Sequence, residues 1–600
     1  MKRLPAREEV PAEYKWKIED IYASNDDWEK DFQKVKSLLP KLEQCRGSLA
    51  NSPEDLLRCL QLKDEVEKIL ERVYVYAFMR KDEDNTNPFY QGLKDRAQGL
   101  GIQVGSSTSF IIPEILSIPA EKLAEFRQTE GLKLYDHYLD ELVRVREHIL
   151  SPEEEQIIAL SGEVGQAPKT IFGMLNNADL KFPTVMDEQG EEIEITHGRY
   201  TQLMESQDRK VRKNTFKAFY GTYEKYRNTL AAILSSSVKK DIFYSRVRKY
   251  NSALEAALDE DNIPLEVYTN LIQTIRSRLD LMHRYVRLRK KVLGVEELHM
   301  YDIYVPLVKD LNLKFPYFKA VELVEKAMAP LGPDYLANLQ KGLTSGWIDI
   351  YENVGKTSGA YSWGAYGVHP FVLLNYQENL DNVFTLAHEM GHALHSFYTW
   401  ANQPYIYGGY TIFVAEVAST LNETLLTDYL LKTVEDKKLK LYVINHYLEQ
   451  FRGTVYRQTM FAEFEKIIHE KAEAGEPLTP DLLCQVYRKL NEDYYGPDMI
   501  IDREIELEWA RIPHFYNAFY VYKYATGFSA ATALAKQILD QGQPAADRYL
   551  DFLKSGSSDY SINLLKKAGV DMTAPEPIQL ALGVFEEVLS QAEQLFAELE

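Results

Sequence analysis

Residues 381–398, DNVFTLAHEMGHALHSFY, decide how the rest of this sequence is interpreted. Apolar residues recur there at three- and four-residue spacing, which predicts a helix beginning at Asp381 or Asn382. At about 100° per residue, His388 and His392 lie one turn apart on one face, so two imidazoles can reach a single ion. Glu389 falls on the flank of that face, where it can reach a water on the metal rather than the metal itself. Two ligands and a general base are the chemical content of the HExxH spacing. The chain holds 12 histidines, and chance supplies such a spacing on the order of a few per cent of the time. The surroundings of the motif therefore carry the argument.

A zinc site that keeps one position open takes three protein ligands. His395 shares the face of His388 but lies two turns on, roughly 10 Å along the axis, which one ion does not bridge easily. A metzincin extension needs a glycine and a further histidine where this chain has His395 and Tyr398. The better third ligand is Glu416, within residues 411–430 (TIFVAEVASTLNETLLTDYL), a second helix after Gly408 and Gly409. Val414, Ala415, Val417 and Ala418 flank it, an environment costly for an unpaired carboxylate. A structural ion pair is the competing interpretation. Glu423, two turns further on the same face, suits a role in orienting a ligand histidine.

Outward from the motif, most of the chain has helical periodicity. Residues 28–39, 54–76 and 120–148 each pattern as helix, and Pro152 follows Ser151 as a helix start. Residues 180–197 (LKFPTVMDEQGEEIEITH) predict a β-hairpin around Asp187–Gly190. Helix resumes at Arg199 and runs to about Leu293. Residues 299–308 predict a short strand, with Pro306 placing it at an edge. Residues 355–376 (GKTSGAYSWGAYGVHPFVLLNY) carry the glycine punctuation of strands and loops. The expectation is a mainly-α protein whose few strands, the hairpin aside, fall within 299–376, forming a small β-sheet beside the metal helix. A soft boundary divides residues 1–200, a helical N-terminal region ending in the hairpin, from 201–600, which carries HEMGH.

Composition narrows the function classes. The 600 residues are 45% hydrophobic and 26% charged, with a net charge of −21, which argues against non-specific nucleic-acid binding. The basic groups Lys239-Lys240 and Arg289-Lys290-Lys291 pattern as solvated helix faces. Residues 1–14 lack the apolar core of a secretory signal, and no stretch approaches the ~18 apolar residues of a membrane span. Cys45, Cys59 and Cys484 form no CxxC pair and are expected to be inert thiols in a reducing compartment. A cytoplasmic protein is expected, with no nucleic-acid or membrane partner.

Three segments in this order, HEMGHALH (388–395), FVAEVASTLNE (413–423) and HFYNAFYVYKYATG (514–527), resemble the thimet-oligopeptidase-like zinc metallopeptidases, in their oligoendopeptidase F branch. The resemblance covers essentially the whole chain. It implies a zincin-like helical peptidase enclosing a deep substrate channel, with one Zn²⁺ per chain on His388, His392 and Glu416. It also implies that His514 and nearby tyrosines hydrogen-bond the substrate carbonyl or its oxyanion. Tyr520 and Tyr524 are favoured because they share one helical face, with Tyr522 in reserve. The segment 355–376 resembles the family's substrate-binding strand and loop, where Gly359, Gly364 and Gly367 let backbone approach a peptide. His369 is taken as a hydrogen-bonded structural histidine.

The implied function is a zinc-dependent endopeptidase acting on internal bonds of short oligopeptides, with Glu389 as the base for a zinc-bound water. One alternative is a dipeptidyl-carboxypeptidase-like exopeptidase, which requires a cation for the substrate's C-terminus. The other is a non-catalytic zinc protein that binds peptides, against which the presence of Glu389 weighs.

Overall fold

The computed structural model describes residues 3–308 and 313–599. Helices dominate, and they begin where side chains can satisfy the first-turn N–H groups. Helix Asn25–Glu43 is capped by Ser24, Pro53–Glu83 by Ser52, and Pro152–Met174 by Ser151, which forms a reciprocal capping box with Glu154. The helix expected over 120–148 is instead broken into Ala120–Phe126, Glu130–Lys133, Asp136–Arg144 and a 3-10 turn, Val145–His148. Leu123, Phe126, Leu132, Tyr135 and Leu139 all enter one buried cluster with Leu56 and Leu60. A straight rod spreads such residues along its length, whereas short segments with turns between them gather them.

The hairpin is present as β1 (Thr184–Met186) and β2 (Glu192–Glu194), paired antiparallel. Asp187 Oδ1 accepts the N–H groups of Gln189 and Glu191, and Gly190 takes φ 79° in the turn. The strand expected over 299–308 is only β3, Leu298–His299, followed by a 3-10 turn. Asp302 ends it, because its carboxylate turns back to accept the N–H of His299 at 3.0 Å. The three-stranded sheet consists of β4 (Ile348–Asp349), β5 (Tyr361–Trp363) and β6 (Phe371–Leu373), in the order β4-β6-β5. β6 is central, parallel to β4 and antiparallel to β5, so β5 is an edge. A further strand, β7 (Met499–Ile500), pairs parallel with β3 and lies outside the expected 299–376 window.

Two compact units emerge, each assembled from three segments: Met1–Glu147, Asn312–Tyr429 and Leu534–Gly569 in the first; His148–Leu311, Leu430–Ala533 and Val570–Glu600 in the second. This division follows contacts rather than chain order, and neither unit ends at residue 200. In the first unit, helix α1 (Leu380–Asn402) packs against β5 and β6, whose Phe371 and Leu373 enter a core with Trp16, Trp28 and Val73. The second unit holds β1, β2, β3 and β7 among helices. Arg289, expected on a solvated face, is 1% exposed there because Glu449 receives its charge. Among the described residues no helix is long and apolar enough to cross a membrane.

Candidate functional site

α1 begins at Leu380, one residue before Asp381, the earlier of the two expected starts. Asn379 caps it by accepting the N–H of Asn382. Helix α2 (Ile412–Thr433) carries Glu416 and Glu423. The two helices approach so closely at Gly391 that a Cβ there would lie 2.6 Å from the carbonyl oxygen of Ala418 and from the Cα of Ser419. Only hydrogen fits. Asn422, fully buried, ties the crossing: it donates to the carbonyl of Ala387 at 3.0 Å and accepts from Tyr335 at 3.0 Å.

This crossing brings together one nitrogen each from His388 and His392 and one oxygen of Glu416, all within 4.8 Å of one another, as a group that could hold a metal ion. Glu416 Oε2 is 3.4 Å from Nε2 of each histidine. A tetrahedral ion with ligands at about 2.0–2.1 Å sets its donors roughly 3.3 Å apart, close to the two separations between Glu416 and the histidines. The remaining nitrogen of His388, Nδ1, hydrogen bonds with Glu423 Oε1, leaving Nε2 to face Glu416. Ser419 Oγ donates to Glu416 Oε2 at 3.0 Å. The sequence assigned no task to Gly391, Ser419 or Asn422; a glycine inside a helix was the available signal for the first.

Electrostatics agree with this geometry. Burial pulls the His388 pKa down, but hydrogen bonds to Glu416 and Glu423 carry it up to about 10. Burial favours the protonated acid of Glu416, yet the hydrogen bonds of His388 and His392 hold its pKa far below the usual carboxylate range. An arrangement that stabilises protons between imidazoles and a carboxylate also stabilises a cation in their place. Glu389 is 7% exposed, and burial pushes its carboxyl upward against the opposing pull of His388 and His392. His395 takes no part: it is buried, stacked on Tyr410 at 3.8 Å, and burial, then the charge of His392, lowers its pKa to about 3.

The three glycines have different surroundings. Gly359 and Gly367 take φ +86°, in exposed turns that flank β5. Gly364 is buried, with Trp400 at 2.8 Å and Pro370 at 3.0 Å from where a Cβ would stand. Its glycine is needed for packing, where backbone approach to a peptide was expected. His369 bonds Asp20 at 2.9 Å and stacks on Trp347, the structural histidine that was expected.

In the second unit, His514 lies in a 3-10 turn, Pro513–Tyr516, and Tyr524 in the helix Tyr522–Gln541. Tyr520 precedes that helix, so it and Tyr524 do not share a helical face as expected. The chain reverses instead at Phe519, φ 57°, whose N–H donates to Glu465 Oε1 at 3.0 Å. The reversal brings the rings together by another route. Tyr520 and Tyr524 centroids are 5.5 Å apart, each is 6.0 Å from His514, and Tyr524 Oη lies 3.5 Å from His514 Nε2. All three are half-buried. Burial, then the charge of Arg457, keeps the His514 pKa below its ordinary value. Tyr516 and Tyr522 are buried, against Phe172 and Tyr268. That burial gives Tyr522 a packing role, where contact with substrate was expected.

Comparison with known proteins adds an independent line. Residues 202–584 match the family model described as peptidase family M3, and residues 114–182 match that described as oligopeptidase F. The chain is 55% identical to oligopeptidase PepF of Bacillus subtilis over 99% of its own length and 89% of the relative's. It is 42% identical to the group B oligopeptidase PepB of Streptococcus agalactiae over 98% of both. Among solved structures, that of oligoendopeptidase-F from Enterococcus faecium is similar, with a TM-score of 0.75 and 40% identity over 96% of this chain and 99% of that one.

Proposed function

We propose that this chain, which belongs to peptidase family M3 in its oligoendopeptidase F group, hydrolyses internal bonds of short oligopeptides with a single zinc ion. Membership makes it a metallopeptidase. The observation that carries the finer reading is the His388–His392–Glu416 group, whose donor separations suit a tetrahedral ion and which has Glu389 buried beside it. The chemistry such an ion supplies is Lewis acidity, polarising the scissile carbonyl and making water nucleophilic at neutral pH.

The protein's own residues do the rest. His388, His392 and Glu416 hold the ion, and Glu423 fixes the His388 ring by occupying Nδ1. Glu389 takes a proton from the attacking water and delivers it to the leaving amine, and its burial-raised pKa moves it toward the working pH. His514, Tyr520 and Tyr524 donate hydrogen bonds to the oxyanion; this assignment draws on the resemblance of their segment and on their forming one half-buried donor cluster. β5 is the edge to which a peptide backbone adds, with Gly359 and Gly367 leaving its approaches open. Main-chain pairing recognises little side-chain identity, so broad specificity follows. Three free, buried thiols suit a cytoplasmic setting.

Glu389→Gln tests the mechanism. The variant is expected to bind zinc normally and to lose roughly 10²–10⁴-fold in kcat. Near-normal cleavage by a zinc-loaded variant would overturn the role of Glu389. Products from a C-terminally blocked peptide separate endopeptidase from carboxydipeptidase, since only the former cuts it internally.

A further inference from the structure

A guanidinium pair beside His514 holds more positive charge than its surroundings neutralise. Arg457 opens helix α3 (Arg457–Glu473), directly after a π-helical segment, Phe451–Tyr456. Such wide turns recur at functional sites. Arg457 Nη2 donates to Glu508 Oε1 at 2.6 Å, and the same oxygen accepts from Arg511 Nη2 at 2.9 Å. The other oxygen of Glu508 accepts from Tyr487 at 2.5 Å. One carboxylate therefore serves two guanidiniums.

The pattern repeats nearby. Glu449 is shared by Arg289 at 2.9 Å and Arg452 at 2.7 Å, and the Arg452 guanidinium lies 5.2 Å over the Tyr304 ring. The phenol of Tyr304 is within electrostatic reach of Arg452, Arg457 and Arg511 alike. Asp302, the next carboxylate, is already taken by Arg209 and Arg212. In a chain of net charge −21, this surplus of cations is out of keeping with the whole, and sheltered charge without a partner is costly. Arg457 is the member with donors to spare. Its Nε and Nη1 make no hydrogen bond to a described residue, and its side chain is 17% exposed. It lies over Phe461 at 4.3 Å, and Phe461 meets Phe515, the neighbour of His514. Its charge is the one that bears on the His514 imidazole.

We propose that Arg457 anchors a carboxylate of the peptide substrate, either its free C-terminus or an acidic side chain, and so limits which peptides are bound well. This rests on the peptidase function proposed above. Glu508 and Arg511 position the guanidinium, and the donors left free form charge-assisted hydrogen bonds with the incoming anion.

The test compares one internally quenched peptide as free acid, as C-terminal amide, and as amides carrying a single glutamate at successive positions, with zinc-loaded full-length protein. Either the acid or one glutamate amide is expected to show a KM roughly 10–100-fold below the neutral amide, and which one does so identifies the source of the anion. Arg457→Gln is expected to bring the preferred substrate's KM to that of the neutral amide, and Arg457→Lys to restore part of the gap. Equal KM for all substrates with wild-type protein overturns the proposal, and this holds even where Arg457→Gln fails to fold. An equal loss on all substrates in Arg457→Gln, with a common shift of the pH profile, also overturns it, because that pattern belongs to a residue acting only through His514. Absence of cleavage of every peptide by the wild-type protein would instead sink the peptidase function.

Discussion

The His388–His392–Glu416 group and the His514–Tyr520–Tyr524 cluster belong to different compact units and stand on different kinds of backbone. The first is built where two regular helices cross. Its spacing is set by helical periodicity along α1 and by the absence of a side chain at Gly391, so three donor atoms are held as a rigid set. The second is built on a 3-10 turn and a reversal at Phe519, where a bulky residue holds a positive φ. Such a conformation costs about 1–3 kcal/mol and persists because its surroundings impose it; here Glu465 accepts its N–H. Rigid donors on helices should fail together when one is lost. Donors on irregular backbone should fail by degrees.

The largest effect is expected from Glu416→Ala or from a chelator. Either should abolish zinc stoichiometry in metal analysis and reduce turnover to background, and full zinc retention by Glu416→Ala would end the contrast. Next come the tyrosines. Tyr520→Phe and Tyr524→Phe should each lower kcat, by up to roughly 10²–10³-fold for a full oxyanion donor. Tyr516→Phe and Tyr522→Phe, which alter packing residues, should stay within a few-fold of wild type; steady-state kinetics on one peptide ranks all four. Glu423→Gln should weaken zinc binding by roughly 10–100-fold in competition with a metal indicator, since it alters a hydrogen bond to a ligand and no ligand. Gly391→Ala is tested in stability rather than in turnover. Overpacking the helix crossing should cost about 1–3 kcal/mol of stability, seen as earlier thermal unfolding of both the zinc-free and zinc-loaded protein. Unchanged unfolding would mean that the crossing is not held by that contact.

Parts of this contrast are legible in the sequence alone. HEMGH and Glu416 lie on strongly periodic segments, so a face could be drawn and a third ligand chosen from residues 411–430. Glu423 was legible for the same reason, and it does meet His388. Helical periodicity misplaces the tyrosines, because the chain is not helical at Tyr520. The broken helices after Ala120 failed similarly: apolar periodicity marks which residues are buried, but not whether one rod or three short ones bury them. Gly364 has the residue type of a loop that receives a ligand and the contacts of a packing site. Arg289 sits in a basic run, and only its neighbour Glu449 shows that it is interior.

By itself the sequence determined what depends on neighbours a few residues apart: helices as the dominant element, the hairpin at Asp187–Gly190, two histidines and a glutamate in register on one turn, and the acidic charge of the whole. Local geometry repeats, and a repeating geometry can be counted. The tertiary structure decided what depends on distant segments: the close passage of α2 over Gly391 that brings Glu416 to His388 and His392, the pairing of β3 with β7, the gathering of His514 with two tyrosines, and the sharing of Glu508 between Arg457 and Arg511. Those contacts are set by packing and by the need of buried charges for partners, and no spacing along the chain encodes which partner arrives.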